Sequence, residues 1–176
     1  YVWGKLYRRG FLEEQKLRFG EYAYAEDKMF SMQCYAGNPE YAFVRENGYI
    51  YRKNEASVSY QYQEDSVKCW LQIAHDLQDF LGKNGKTKYE DLVRYTIFFA
   101  AFFDAKMEYV RHGRSLKAVM WTLKRYGRDP LARQSFQAFA FGKGFKRSKQ
   151  KMWSIMIRGF AAAMRFHLYL PLAAGI

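Results

Sequence analysis

The sequence predicts an α+β protein, mostly α, and three observations carry that expectation. Within residues 1–62 the aromatic and β-branched runs Tyr41-Ala42-Phe43-Val44 and Tyr49-Ile50-Tyr51 flank Asn47-Gly48, the pattern of two short strands around a tight turn. From about Asp65 onward apolar residues recur at three- and four-residue spacing over long windows, the period of helices with one buried face. Helix start and stop residues punctuate those windows at plausible lengths.

Taken in order, Val2 to Leu12 reads as a strand or turn whose aromatics face a core and whose Arg8 and Arg9 are solvated. Asp27 opens a helix running to about Cys34 or Ala36, stopped by Gly37-Asn38-Pro39. The two strands follow. Val67, Trp70, Leu71, Ala74, Leu77 and Leu81 then form one helical stripe ended by Gly82. Thr87-Lys88-Tyr89-Glu90 matches a capping box, in which the Thr hydroxyl and the Glu carboxylate each satisfy a free backbone donor. A long helix is expected from there to about His112, with Gly113 as its stop. Further helices are expected near 115–126, at 130–141, where Asp129-Pro130 supplies an N-cap and a first-turn proline, and at 148–170, closed by Pro171. No internal repeat is present. The expected division is 1–62, with the short strands and one helix, and 63–176, a basic helical extension.

Charge is unevenly spread. Residues 1–110 carry 15 Lys and Arg against 16 Asp and Glu, whereas 111–176 carry 14 against Asp129 alone. Nucleic acid, an anionic membrane surface and phosphorylated small molecules all suit such a balance. Cys34 and Cys69 lack CxxC spacing, so neither a disulfide framework nor a zinc site is expected, and a reducing compartment is the natural reading. The chain begins at Tyr1 without a signal-peptide pattern, and we expect it to be a piece of something longer. The uncharged apolar run Tyr95 to Phe103 is nine residues, and no uncharged run exceeds eleven, too short for the roughly 20 that span a bilayer. In the last helix Trp153, Ile155, Met156, Ile157, Phe160, Met164, Phe166 and Leu168 mix with Lys149, Lys151, Arg158 and Arg165. Those apolar residues either lie in a headgroup plane or pack on neighbouring helices.

Three features of the first part bear on chemistry. Glu26-Asp27 stands at an expected helix start, where a carboxylate caps backbone N–H groups and where it could also act as a directed general base. Val2-Trp3-Gly4-Lys5-Leu6-Tyr7-Arg8-Arg9 sets a Trp beside a cationic cluster. Tyr49-Ile50-Tyr51-Arg52-Lys53 runs into a polar loop with Ser57 and Ser59, a composition that can hold phosphate. His75, His112 and His167 lack metal-ligand spacing and are expected to be structural or surface residues.

In this order, the features resemble the C-terminal half of family 2, GT-A type bacterial glycosyltransferases. Val2 to Leu12 is similar to that family's V-W-N-K-L-Y-R-R-x-F-L segment, with Gly4 in place of Asn. Lys16-Leu17-Arg18-Phe19 with Glu26-Asp27-x-x-Phe30 is similar to its K-I-x-F … E-D-x-x-F segment, and Tyr49-Ile50-Tyr51-Arg52 with Ser57-Val58 to its Y-Y-Y-R … S-I segment. The resemblance covers residues 1 to about 60. It implies the acceptor-side part of a GT-A nucleotide-sugar transferase fold, an inverting enzyme of surface polysaccharide synthesis that moves a sugar from a nucleotide-sugar donor to a glycan or lipid-linked acceptor. Asp27 would be the catalytic base with Glu26 beside it, Arg52 and Ser57 would lie near the diphosphate, and Trp3 and Lys5 would touch the acceptor or brace the base. The family's leaving diphosphate is neutralised by Mg or Mn on an Asp-x-Asp motif, which occurs nowhere in these 176 residues. Metal ligands and the nucleotide-binding half would therefore lie outside this chain, which alone is expected to be inactive.

The implied setting is cytoplasmic, with the basic extension held peripherally at the inner face of the cell membrane. The alternatives are a basic helical nucleic-acid-binding module or a self-association module forming a homo-oligomer. No helix-turn-helix, zinc-finger or single-strand-binding motif supports nucleic acid as the partner, and that reading leaves the order of the first segments unexplained.

Overall fold

In a computed structural model the protein is described over residues 2–52, 54, 65–142 and 151–175. Eight α-helices form among these residues: α1 (Arg9–Glu14), α2 (Glu26–Ala36), α3 (Ser66–Lys83), α4 (Asp91–Arg111), α5 (Leu116–Arg128), α6 (Pro130–Phe141), α7 (Lys151–Arg165) and α8 (Tyr169–Ala174).

No strand forms among the described residues, which overturns the α+β expectation and with it the strand-bearing GT-A arrangement. Residues 41–44 and 49–51 are irregular, and Tyr41, Phe43, Val44 and Ile50 are exposed. The Asn47-Gly48 hairpin is replaced by a three-residue turn in which Gly48 N–H donates to Glu46 O at 3.0 Å. The physical reason is that a lone two-stranded ribbon is marginal in water without a sheet or helix against its apolar face. Val2 to Leu12 is likewise not a strand: the chain turns at Trp3-Gly4 and enters α1 at Arg9.

The helical periodicity is realised. α3 buries Val67, Trp70, Ala74, Leu77 and Leu81 as the stripe requires, Leu71 is half-buried, and the helix passes Gly82 by one residue. α4 is the central element, packing on α3, α5 and α6, and it buries Val93, Ile97, Ala100, Ala101 and Ala105. Phe160 of α7 meets Phe98 edge-on at 5.3 Å and lies 6.1 Å from Phe136 of α6, tying three helices at one point. Each such side chain withdrawn from water contributes about 2 kcal/mol. The Asp129 cap forms as expected, its Oδ1 accepting from Ala132 N–H at 2.9 Å, with Pro130 in the first turn of α6.

Three start and stop expectations are corrected. The Thr87 capping box does not form: Thr87–Tyr89 make a 3₁₀ turn and α4 begins at Asp91 without a side-chain cap. The carboxylates of Glu90 and Asp91 are drawn instead to Arg94, at 2.6 and 2.8 Å. The last helical window breaks at Phe166-His167-Leu168, and Pro171 sits in the first turn of α8 rather than closing a helix, where its missing N–H is tolerated. Asp27 is not an N-cap. α2 starts at Glu26, the cap position is Ala25 in a left-handed conformation (φ 61°), and no side chain caps it.

α2 is held between two apolar clusters. Met29, Met32 and Ala36 enter the main core with α3 to α8, while Phe30 and Cys34 pack with Leu17 under Val2, Tyr7, Phe11 and Leu12. The N-terminal segment therefore clamps the outer side of the helix that carries the acidic pair.

Candidate active site

The start of α2 is fixed from both sides. On its outer side Phe19 stacks on Phe30 at 4.3 Å and Tyr7 meets Phe30 edge-on at 5.5 Å. On its inner side the preceding segment is tied to α3: Tyr22 OH donates to Asp76 Oδ2 at 2.9 Å, and Cys69 Sγ donates to Tyr24 O at 3.3 Å. Lys28 reaches across to α4, its ammonium 4.9 Å from the Phe99 ring centroid. Ala25 in the left-handed region costs an L-residue roughly 1 kcal/mol, so these contacts hold a bend the chain would otherwise avoid.

Within this frame Glu26 and Asp27 occupy the first two helical positions, Glu26 exposed and Asp27 half-buried. No hydrogen bond or ion pair engages either carboxylate among the described residues, so both can take a partner from solution. Both lie at the positive end of the α2 dipole.

Lys5 is placed beside this helix. Its ammonium donates to Tyr35 OH at 3.2 Å and lies 5.4 Å from the Tyr35 ring centroid. Tyr7 is within electrostatic reach of both Lys5 and Asp27: burial pushes its hydroxyl above the ordinary tyrosine range, the Lys5 charge pulls the other way, and Asp27 adds to the rise. Burial also pushes the Cys34 thiol up, against the same Lys5 charge.

Trp3 joins the third segment to the first two, stacking on Tyr49 at 5.1 Å and Tyr51 at 4.9 Å. Gly4 beside it has φ 69°, and a Cβ there would meet Tyr49 at an ordinary 3.8 Å. Left-handed backbone suits Gly best and Asn next, which explains Gly4 where the resembled segment carries Asn. Arg52 follows Tyr51 and is exposed. Ser57 lies outside the described residues. Trp3 thus ties the Tyr49–Tyr51 segment to the N-terminal segment, while Lys5 meets α2 at Tyr35, near the opposite end of the helix from Asp27.

Sequence reasoning missed Tyr7 and Tyr35, and it missed a buried polar chain behind the site. Tyr24 OH donates to Ser66 Oγ, Ser66 donates to Asp104 Oδ1 at 2.5 Å, and Tyr126 OH donates to Asp104 Oδ2 at 2.6 Å. Asp104 is 5% exposed, and burial pushes its carboxyl up to about 6 despite the two hydroxyl donors. A lone acid on the buried stripe Ile97, Ala100, Ala101, Asp104, Ala105 was the available signal. Among the described residues no group of three or more His, Cys, Asp or Glu side chains could hold a metal ion. His75 pairs with Asp129 at 2.8 Å, His112 with Glu108 at 3.1 Å, and His167 Nδ1 with Tyr169 OH at 2.7 Å. No described helix is long and apolar enough to cross a membrane.

Comparison with known proteins adds one similarity. The chain is 30% identical over 89 residues to "Putative glycosyltransferase EpsH" of Bacillus subtilis (strain 168), a match covering 49% of this chain and 26% of that protein. The matched region is therefore about a quarter of the relative's length. No protein-family model matches the chain, and no solved structure is significantly similar to it.

Proposed function

We propose that this chain is the acceptor-side, base-bearing part of a longer inverting glycosyltransferase of family 2 type, acting in surface polysaccharide synthesis. The observation that carries the reading is a helix start whose two carboxylates, Glu26 and Asp27, are unengaged among the described residues, on a helix packed against the N-terminal segment. The similarity to a protein described as a glycosyltransferase supports the same class.

In this mechanism Asp27 accepts the proton of an acceptor hydroxyl as that oxygen attacks the anomeric carbon of a nucleotide-activated sugar. The bond from that carbon to the nucleoside diphosphate breaks, and the configuration inverts. A sugar hydroxyl is a poor nucleophile, and a positioned base contributes typically about 10²- to 10⁴-fold. Lys5 holds the first segment to Tyr35 of α2, and Trp3 of the same segment stacks on Tyr49 and Tyr51, the residues that lead into Arg52. Arg52, together with Ser57, serves the departing diphosphate, for which a guanidinium offers paired donors. Metal ligands belong to the remainder of the enzyme. A lipid-linked acceptor places the reaction at the cytoplasmic face of the membrane.

The test is to incubate the full-length enzyme with candidate nucleotide-sugars and glycan or lipid-linked acceptors, and to read the anomeric configuration of any product by NMR. An inverted linkage is expected. A retained configuration contradicts a single displacement assisted by Asp27, and transfer to no acceptor under any donor contradicts the class.

A further inference from the structure

We propose that the outward face of α5, carrying Lys117, Trp121, Lys124 and Arg128, is a docking surface for an anionic lipid bilayer. At 100° per residue these four side chains fall within an arc of about 60°, spread along roughly 16 Å of helix. Val119, Thr122, Leu123 and Tyr126 point the other way and are buried. The basic stripe is therefore the outermost line of the helix, and all four of its residues are exposed.

Trp121 is the informative member. It is 58% exposed at the middle of the stripe, and the Arg125 guanidinium carbon lies 4.7 Å from its ring centroid. It also walls a cleft of about 540 Å³ with Met120, Lys117 and Lys124, where Glu108 and His112 pair with each other at the rim. An indole flanked by cations suits the headgroup level of a membrane, where the ring has an apolar body to bury and an N–H to hydrate. The charge is complementary, since from residue 111 onward Asp129 is the lone acid of the chain. Asp129 is itself occupied by the α6 cap and His75.

The exposed Trp121 ring in the middle of the stripe favours a bilayer over duplex nucleic acid as the partner, since an apolar ring gains burial in a lipid interface but none on a phosphodiester backbone. The final helix, expected to be either membrane-facing or core, is divided: Ile157, Phe160 and Met164 are core, while Trp153, Ile155 and Met156 are exposed. The inference stands apart from the transfer chemistry and is read without it.

The experiment sediments the full chain with vesicles of phosphatidylcholine alone and with one quarter phosphatidylserine, at about 100 mM salt where exposed charges act within a Debye length near 10 Å. Binding to the anionic vesicles only is expected. Each Lys or Arg near such a surface accounts for about a fivefold change in affinity, so Lys117→Gln with Lys124→Gln should weaken binding about thirtyfold. Trp121→Ala should weaken it further. The charge-matched pair Arg133→Gln with Arg165→Gln, in a different cleft, should change it far less. Equal losses from the two pairs would overturn the assignment to this face. So would absence of sedimentation with anionic vesicles, or duplex DNA binding that responds to the same α5 substitutions and exceeds vesicle binding.

Discussion

Replacing Asp104 by asparagine keeps the side chain's size and removes its titration, which makes the buried polar chain measurable. The carboxyl is raised from 3.8 to about 6, chiefly by burial, against the opposing hydrogen bonds from Ser66 and Tyr126. At 1.36 kcal/mol per pH unit this amounts to about 3 kcal/mol. The native protein holds this proton more tightly than the unfolded chain, so the stability it contributes is fully present below about pH 4 and is lost as the pH rises through about 6. Urea denaturation of both proteins between about pH 4 and pH 7 isolates the term, because the other carboxylates titrate in both. On lowering the pH from 7 to 4, where the unfolded carboxyl is itself partly protonated, the wild type should gain about 2.4 kcal/mol relative to the Asn variant. A constant difference would mean that Asp104 is not shifted. A wild-type gain on raising the pH would mean that the hydroxyl donors outweigh burial, and either result refutes the reasoning.

Leu77→Ala, in the fully buried stripe of α3, should cost about 3 kcal/mol in the same denaturation assay. Tyr24→Phe removes the first hydroxyl of the chain to Asp104 and should cost about 1 kcal/mol. Trp3→Ala removes the ring on which Tyr49 and Tyr51 both stack. It should accelerate proteolysis and amide exchange across residues 41–52 while leaving the denaturation midpoint of the helical core nearly unchanged. Asp129→Ala removes the α6 cap and should cost about 1 kcal/mol, most of it from the cap because its His75 partner is half exposed.

The helices were legible because α3, α5 and α6 bury one face each, and a buried face writes its period into the sequence. Asp129-Pro130 was legible for a local reason, since cap and first-turn proline act within a few residues. The strands at 41–44 and 49–51 were misread because β-propensity reports fit to a sheet surface, and a pair of runs without a sheet has nothing to fit. Thr87 was misread because Arg94, one turn into α4, competes for the carboxylate that the capping box needed. For the candidate site, the order of segments pointed to Trp3, Lys5 and Asp27 as candidates. The stacking of Trp3 on Tyr49 and Tyr51 and the Lys5–Tyr35 hydrogen bond are contacts between distant residues that no local pattern encodes. Of the last helical window's apolar residues, Ile157, Phe160 and Met164 are core and Trp153, Ile155 and Met156 exposed, a division that the mixed composition of the window does not encode.

The central claim is that Asp27 is the base of sugar transfer, and one comparison tests it most directly. Single-turnover transfer and nucleotide-sugar binding are measured on the full-length enzyme and on its Asp27→Asn variant, with Glu26→Gln as the neighbouring control. The account predicts at least about a 10²-fold loss of transfer for Asp27→Asn with donor affinity retained, and a smaller loss for Glu26→Gln. Undiminished transfer by the Asp27→Asn enzyme would contradict it.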